Sequence, residues 1–110
     1  IMTLETDKYT YRVTWSEEDE EFIALCAEFP SLSWLADSTE NALKGIRSVV
    51  NECVEDMCQS GENIPKPFSI RNYSGKFMVR VPPEVHRHLV TEAAESGVSL
   101  NRIASAKLAH

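Results

Sequence analysis

The first half of the chain alternates in polarity and then turns helical. Tyr9, Tyr11, Val13 and Trp15 share one parity, and Thr10, Arg12 and Thr14 share the other. A period of two predicts a strand over 9–15. Phe22 to Ala27 reads as a second strand, and the charged connection from Ser16 to Glu21 makes the pair a hairpin. Phe29-Pro30-Ser31 interrupts the pattern, and Trp34-Leu35-Ala36 forms a third, short strand. Ser38 or Thr39 then caps a helix, with Glu40 favourably placed in its first turn. Ala42, Leu43, Ile46, Val49, Val50, Cys53, Val54 and Met57 recur every three or four residues, an apolar stripe of about five turns. Gly61 ends the helix, and Ile64-Pro65-Lys66-Pro67 forces extended chain. Ile70 is expected to add a small edge strand. The expected domain, residues 1–70, is a small antiparallel sheet of three or four strands with one long helix laid across it.

Residues 71–75 read as a linker, and the last third is organised differently. Along Lys76-Phe77-Met78-Val79-Arg80-Val81, the apolar Phe77, Val79 and Val81 alternate with Lys76, Met78 and Arg80. Pro82 cannot donate to a ladder, so the strand stops there, and Pro83 suits the first turn of a helix. Val85, Leu89, Val90, Ala93 and Ala94 make one helical stripe, which Gly97 terminates. Ser99 caps a second helix, and Leu100, Ile103, Ala104 and Leu108 continue the buried face. One strand and two helices bury too little by themselves, and a lone strand has nothing to pair with. A second copy would supply the missing strand, giving a two-stranded ribbon over four helices. That layout resembles ribbon-helix-helix proteins, whose ribbon enters the major groove of DNA. Lys76 and Arg80 suit guanine edges there, and Met78 suits a thymine methyl. The amides of Ser99, Leu100 and Asn101, at a helix N-terminus, are candidate phosphate ligands, with Ser99 as a simple cap the alternative.

Charge sharpens the division. The 110 residues carry a net charge of −6. Residues 1–65 hold four Lys+Arg against fourteen Asp+Glu, a net of −10, and residues 66–110 hold seven against three, a net of +4. The basic part can meet phosphates, whereas the acidic part would repel them and suits a basic partner. Glu17 to Glu21, five acids in a row, read as a solvated hairpin tip.

The residues offer no catalytic constellation. His86 and His88 lie two apart on a helix and point in different directions, and His110 stands alone. The strand acid Glu28 lacks the partner carboxylates that Mg²⁺-dependent nuclease chemistry needs. There is no phosphate loop and no nucleophile elbow. Cys26, Cys53 and Cys58 form no Cys-x-x-Cys pair and read as buried, reduced thiols rather than zinc ligands. No metal, cofactor or enzymatic activity is expected. No apolar run reaches membrane-spanning length, and no signal-peptide pattern is present, so a cytoplasmic protein is expected. Ile1 ahead of Met2 reads as a start-site artefact.

In order and spacing, several segments together resemble the HicB family of antitoxins, in the branch with a ribbon-helix-helix tail. They are Tyr9–Trp15, Phe22-Ile23-Ala24 leading to Glu28-Phe29-Pro30, and Asp37-Ser38-Thr39-Glu40-Asn41-Ala42-Leu43. Ile64-Pro65-Lys66-Pro67, Ser74 to Pro82 and Gly97-Val98-Ser99-Leu100-Asn101 complete the set. The resemblance implies an α+β chain whose first domain is a partial ribonuclease H-like fold without catalytic residues. It implies that this domain binds and blocks a small RNA-cleaving HicA-type toxin. Residues 76–110 would dimerise, as a dimer or a dimer of dimers, and repress the chain's own operon by binding operator DNA within the nucleoid. Position by position it assigns Lys76, Met78 and Arg80 to base reading, and Ser99 with Asn101 to the phosphate-binding helix end. Two other readings of the residues stand beside it: a stand-alone dimeric regulator without a toxin, and an assembly module that binds no DNA.

Overall fold

A computed structural model describes residues 6–110, so Ile1 and Met2 lie outside the described residues. The chain divides into two units, residues 1–73 and 74–110.

The first unit is a meander with a helix on one face. Strands β1 (Tyr11–Ser16), β2 (Glu21–Cys26) and β3 (Ser33–Ala36) form an antiparallel sheet in the order β1-β2-β3. Tyr11 pairs with Cys26, Val13 with Ala24 and Trp15 with Phe22; Phe22 pairs in turn with Ala36, and Ala24 with Trp34. All of these residues therefore share the sheet face that receives helix α1 (Thr39–Gln59). Ala42, Ile46, Val50 and Val54 are fully buried against Ala24, Cys26 and Ala36. Full burial of Ile46, Val50 and Val54 stabilises the unit by about 1.5–3 kcal/mol each. Ile23 and Leu25 alternate to the opposite face, where Leu35 is exposed.

The ends of α1 follow from local chemistry. Ser38 is the N-cap, its hydroxyl accepting from the Asn41 amide at 3.1 Å. Beyond the C-cap Ser60, Gly61 adopts a φ of 73°, which glycine takes without a Cβ clash. Within the helix, Gly45 lies under the Trp34 indole, and a Cβ built there would sit 2.1 Å from the ring. Gly to Ala in a helix normally stabilises by about 0.4–1 kcal/mol. Here the steric term wins, because the indole must leave the helix. Gly45→Ala is expected to destabilise the unit by about 1–3 kcal/mol, read as a lower denaturant midpoint together with altered tryptophan fluorescence.

The chain after α1 runs back along the sheet. Ile64 packs on the core, the Tyr9 hydroxyl donates to Pro65 O at 2.6 Å, and Tyr9 meets Phe29 edge to face at 5.3 Å. Ile70 was expected to form an edge strand; it closes instead a short 3-10 turn, Phe68–Ile70, in which the Ile70 amide reaches Pro67 O. Pro65 and Pro67 lack the amides a ladder would use.

The second unit holds helices α2 (Pro83–Ser96) and α3 (Leu100–Leu108). Pro83 occupies the first turn of α2, and Gly97, at a φ of 69°, closes its end while its amide bonds Ala93 O and Ala94 O. Lys107 Nζ lies 3.3 Å from Glu92 Oε2, an ion pair between the two helices.

Candidate nucleic-acid interface

The segment that carries the proposed base readers has no regular secondary structure and no pairing partner in the single chain. Residues 76–82 form no strand within the single chain; the expected strand is one that pairs only with a second copy. A strand exists only through a ladder, and the second unit contains no other segment to pair with. Phe77 and Met78 are 75% and 86% exposed, and Lys76, Val79, Arg80 and Val81 are exposed as well. The segment begins at Gly75, with a φ of 84°, where the Lys76 amide donates to Ser74 Oγ at 3.1 Å. Lys76 and Arg80 take part in no ion pair with any described residue.

The helices that follow this segment are similarly uncovered. Ala93 is the one buried side chain among the described residues of the second unit. Leu89, Ile103 and Ala104 are half-buried, while Val85, Val90, Leu100 and Leu108 remain exposed. A unit with so little interior cannot offset its own chain entropy.

At the start of α3, Ser99 Oγ accepts from the Arg102 amide at 3.1 Å, so the hydroxyl acts as the helix cap. The first backbone bond of the helix runs from the Ile103 amide to Ser99 O. That pattern leaves the Leu100 and Asn101 amides directed out of the helix end, the arrangement that attracts anions.

Sequence reasoning missed the role of Glu28. It lies beyond the end of β2 rather than on a strand, and it is buried. Its carboxylate accepts from the Thr10 amide and the Phe68 amide, each at 2.9 Å, and from the Thr10 hydroxyl at 3.1 Å. It thus ties the start of the sheet to the turn that leads toward the second unit. Burial opposes its ionisation, but the Phe68 and Thr10 amides outweigh burial and hold the carboxyl below its ordinary value. A carboxyl depressed on folding contributes stability that is present above its unfolded pKa and is lost as pH falls through the folded value. Glu28→Ala leaves two amides without an acceptor and is expected to cost about 2–4 kcal/mol. The cost should be full at neutral pH and should shrink below about pH 4, checked by denaturation midpoints across an acid series.

Other titratable groups of the first unit serve packing. Burial pushes the Tyr11 hydroxyl up to about 12, and that hydroxyl donates to Thr6 O at 2.8 Å. Burial likewise pushes the Cys26 thiol up to about 11, so it is protonated and unreactive at neutral pH. The three cysteines are free; Cys26 is buried as expected, but Cys53 is only half-buried and Cys58 is exposed near the end of α1. His86, His88 and His110 are exposed, and His88 Nε2 lies 3.9 Å from Glu92. No group of three or more His, Cys, Asp or Glu residues able to hold a metal ion occurs among the described residues. Nor is any described helix long and apolar enough to cross a membrane.

The acids Glu17 to Glu20 at the hairpin tip are exposed, whereas Glu21, the first residue of β2, is half-buried. Ser16 Oγ and Asp19 Oδ2 are 2.9 Å apart, and the Trp15 indole N–H reaches Glu17 at 3.4 Å. The tip is a solvated turn with its own local bonds.

Residues 58–108 match the model of the HicB family. The matched stretch runs from the end of α1 through the return segment and the exposed segment to the end of α3, just under half of the chain. Over that stretch the chain is similar to the HicB family, which is an antitoxin family. Comparison with curated proteins and with solved structures gave no significant match.

Proposed function

We propose that the chain is a HicB-type antitoxin that also represses its own operon. In this reading residues 76–81 of two chains pair as an antiparallel ribbon, completing a ribbon-helix-helix dimer or a dimer of dimers. The observation that carries it is the state of the second unit. Phe77, Val79 and Val81 stand exposed on one parity of an unpaired segment, and the helices that follow it have open apolar stripes as well. Pairing buries that parity and turns Lys76, Met78 and Arg80 outward to the major groove. Ser99, Leu100 and Asn101 then bind a phosphate at the start of α3. The family match over residues 58–108 supports the antitoxin part of the reading.

The first unit, read as a partial ribonuclease H-like domain, docks and blocks a small RNA-cleaving toxin of the HicA type. Its excess of carboxylates suits a basic, RNA-binding partner. A stand-alone dimeric regulator is the second reading, because the family match leaves the sheet of the first unit outside it.

Purification of the tagged chain from its native host, with nuclease present, tests the proposal. A small basic protein in stoichiometric amount, whose RNA cleavage stops when the chain is added back, is the expected result. Recovery of the chain alone, still binding DNA upstream of its own gene, would favour the stand-alone regulator.

A further inference from the structure

We propose that Lys66 and Arg71 form a second DNA-contacting element, a phosphate-binding arm that lies outside the ribbon. This rests on the DNA-binding reading above. Residues 63–83 contain four cations and no acid, in a chain of net charge −6. Two of the cations, Lys76 and Arg80, belong to the ribbon. The other two, Lys66 and Arg71, flank the 3-10 turn of the first unit, and both are exposed.

The turn presents them from a fixed base. The Tyr9 hydroxyl holds Pro65 O, Glu28 holds the Phe68 amide, and the Ser69 hydroxyl donates to Lys8 O at 2.7 Å. On this base the Arg71 guanidinium stacks over the Phe68 ring at 4.3 Å, and its Nε donates to Lys66 O at 2.9 Å. One edge of the guanidinium is thereby spent on positioning. Its terminal amines bond no described residue, and neither Lys66 nor Arg71 forms an ion pair among the described residues. A stacked arginine with its outer amines free is pre-organised for a phosphate and loses little entropy on binding one. The nearby carboxylate, Glu28, is buried and directed at Thr10 and Phe68.

Chain length keeps the arm close to the ribbon. Arg71 and Lys76 are five residues apart, a span of at most about 17 Å, or roughly five base-pair rises along one strand. Chain length thus limits Arg71 to backbone within about half a helical turn of Lys76. It adds affinity and carries no sequence information, as phosphate contacts do.

The test uses the full chain and a labelled mixed-sequence duplex of about three helical turns, with affinity measured by anisotropy over a salt series. Lys66→Gln with Arg71→Gln is expected to make the slope of log affinity against log salt shallower by about two per bound protomer, and to weaken binding at low salt by roughly tenfold or more. Lys66→Gln alone touches no packing contact and should remove about half of that change. Arg71→Lys keeps the charge and should keep most of the slope, which a purely structural role for the Arg71 stack would not allow. If the double variant binds as the wild type does while Lys76→Ala with Arg80→Ala weakens binding, the arm is overturned and the ribbon stands. If the wild-type chain binds neither this duplex nor the DNA upstream of its own gene, the DNA-binding reading fails and the arm fails with it.

Discussion

Val79→Asp will leave the chain monomeric and strip the helical signal of α2 and α3. Val79 sits at the centre of the exposed parity formed by Phe77, Val79 and Val81. In the proposed dimer that parity covers the open stripes of both helices, where Val85, Val90 and Leu100 are now exposed. A carboxylate at this position enters an apolar interior twice per dimer, without a partner. The cost of each is several kcal/mol, more than the interior of so small a unit supplies. The first unit should survive, because Ile46, Val50 and Val54 of α1 are buried within it. Light scattering should report a single-chain mass near 12.4 kDa, and circular dichroism should retain only the helical signal of α1. A dimeric, fully helical Val79→Asp variant would show that the ribbon face is not the dimer interface.

Lys76→Ala with Arg80→Ala should separate reading from assembly. Both side chains are exposed and share the parity that the ribbon turns away from the helices. Loss of a base contact costs about 1–3 kcal/mol and relaxes specificity at its base. Two contacts in each protomer of a dimer predict a loss of affinity of a hundredfold or more, with the dimer mass unchanged. A gel-shift titration on DNA from upstream of the gene, with light scattering on the same samples, measures both. Unchanged affinity with an intact dimer would show that the ribbon is not the element that reads DNA.

These two variants probe the part of the chain where pattern and structure diverge most. The hairpin, the third strand and α1 were legible because period two and period 3.6 each bury one face within the same unit. Ser38, Gly61, Gly97 and Ser99 were legible as caps because capping is settled within a few residues. The alternation at 76–81 was equally clear, yet a single chain forms no ladder there, since the pattern describes a pair of strands. Ile70 misled because its β propensity outweighed, in the reading, the turn that its amide closes onto Pro67 O. Glu28 was invisible as an anchor because its donors, Thr10 and Phe68, lie 18 and 40 residues away. The same holds for Gly45, whose importance depends on an indole from β3. Of the candidate site, sequence supplied the residue types and their parity; the positioning of Arg71 by Phe68 needed coordinates.

The account also separates the tasks of the two units by charge. The acidic unit has a buried core of its own, and in the proposed reading its carboxylates meet a basic protein. The basic unit has almost no core, and in the same reading pairing supplies one. Self-association and DNA binding are then coupled, because the ribbon that reads DNA exists only in the paired state.

Sedimentation velocity on a labelled duplex from immediately upstream of the gene, titrated with the full chain, tests that coupling most directly. The account predicts that the smallest bound species carries two chains, with no single-chain complex at any concentration. A complex of one chain per duplex, or no complex at all, would contradict it.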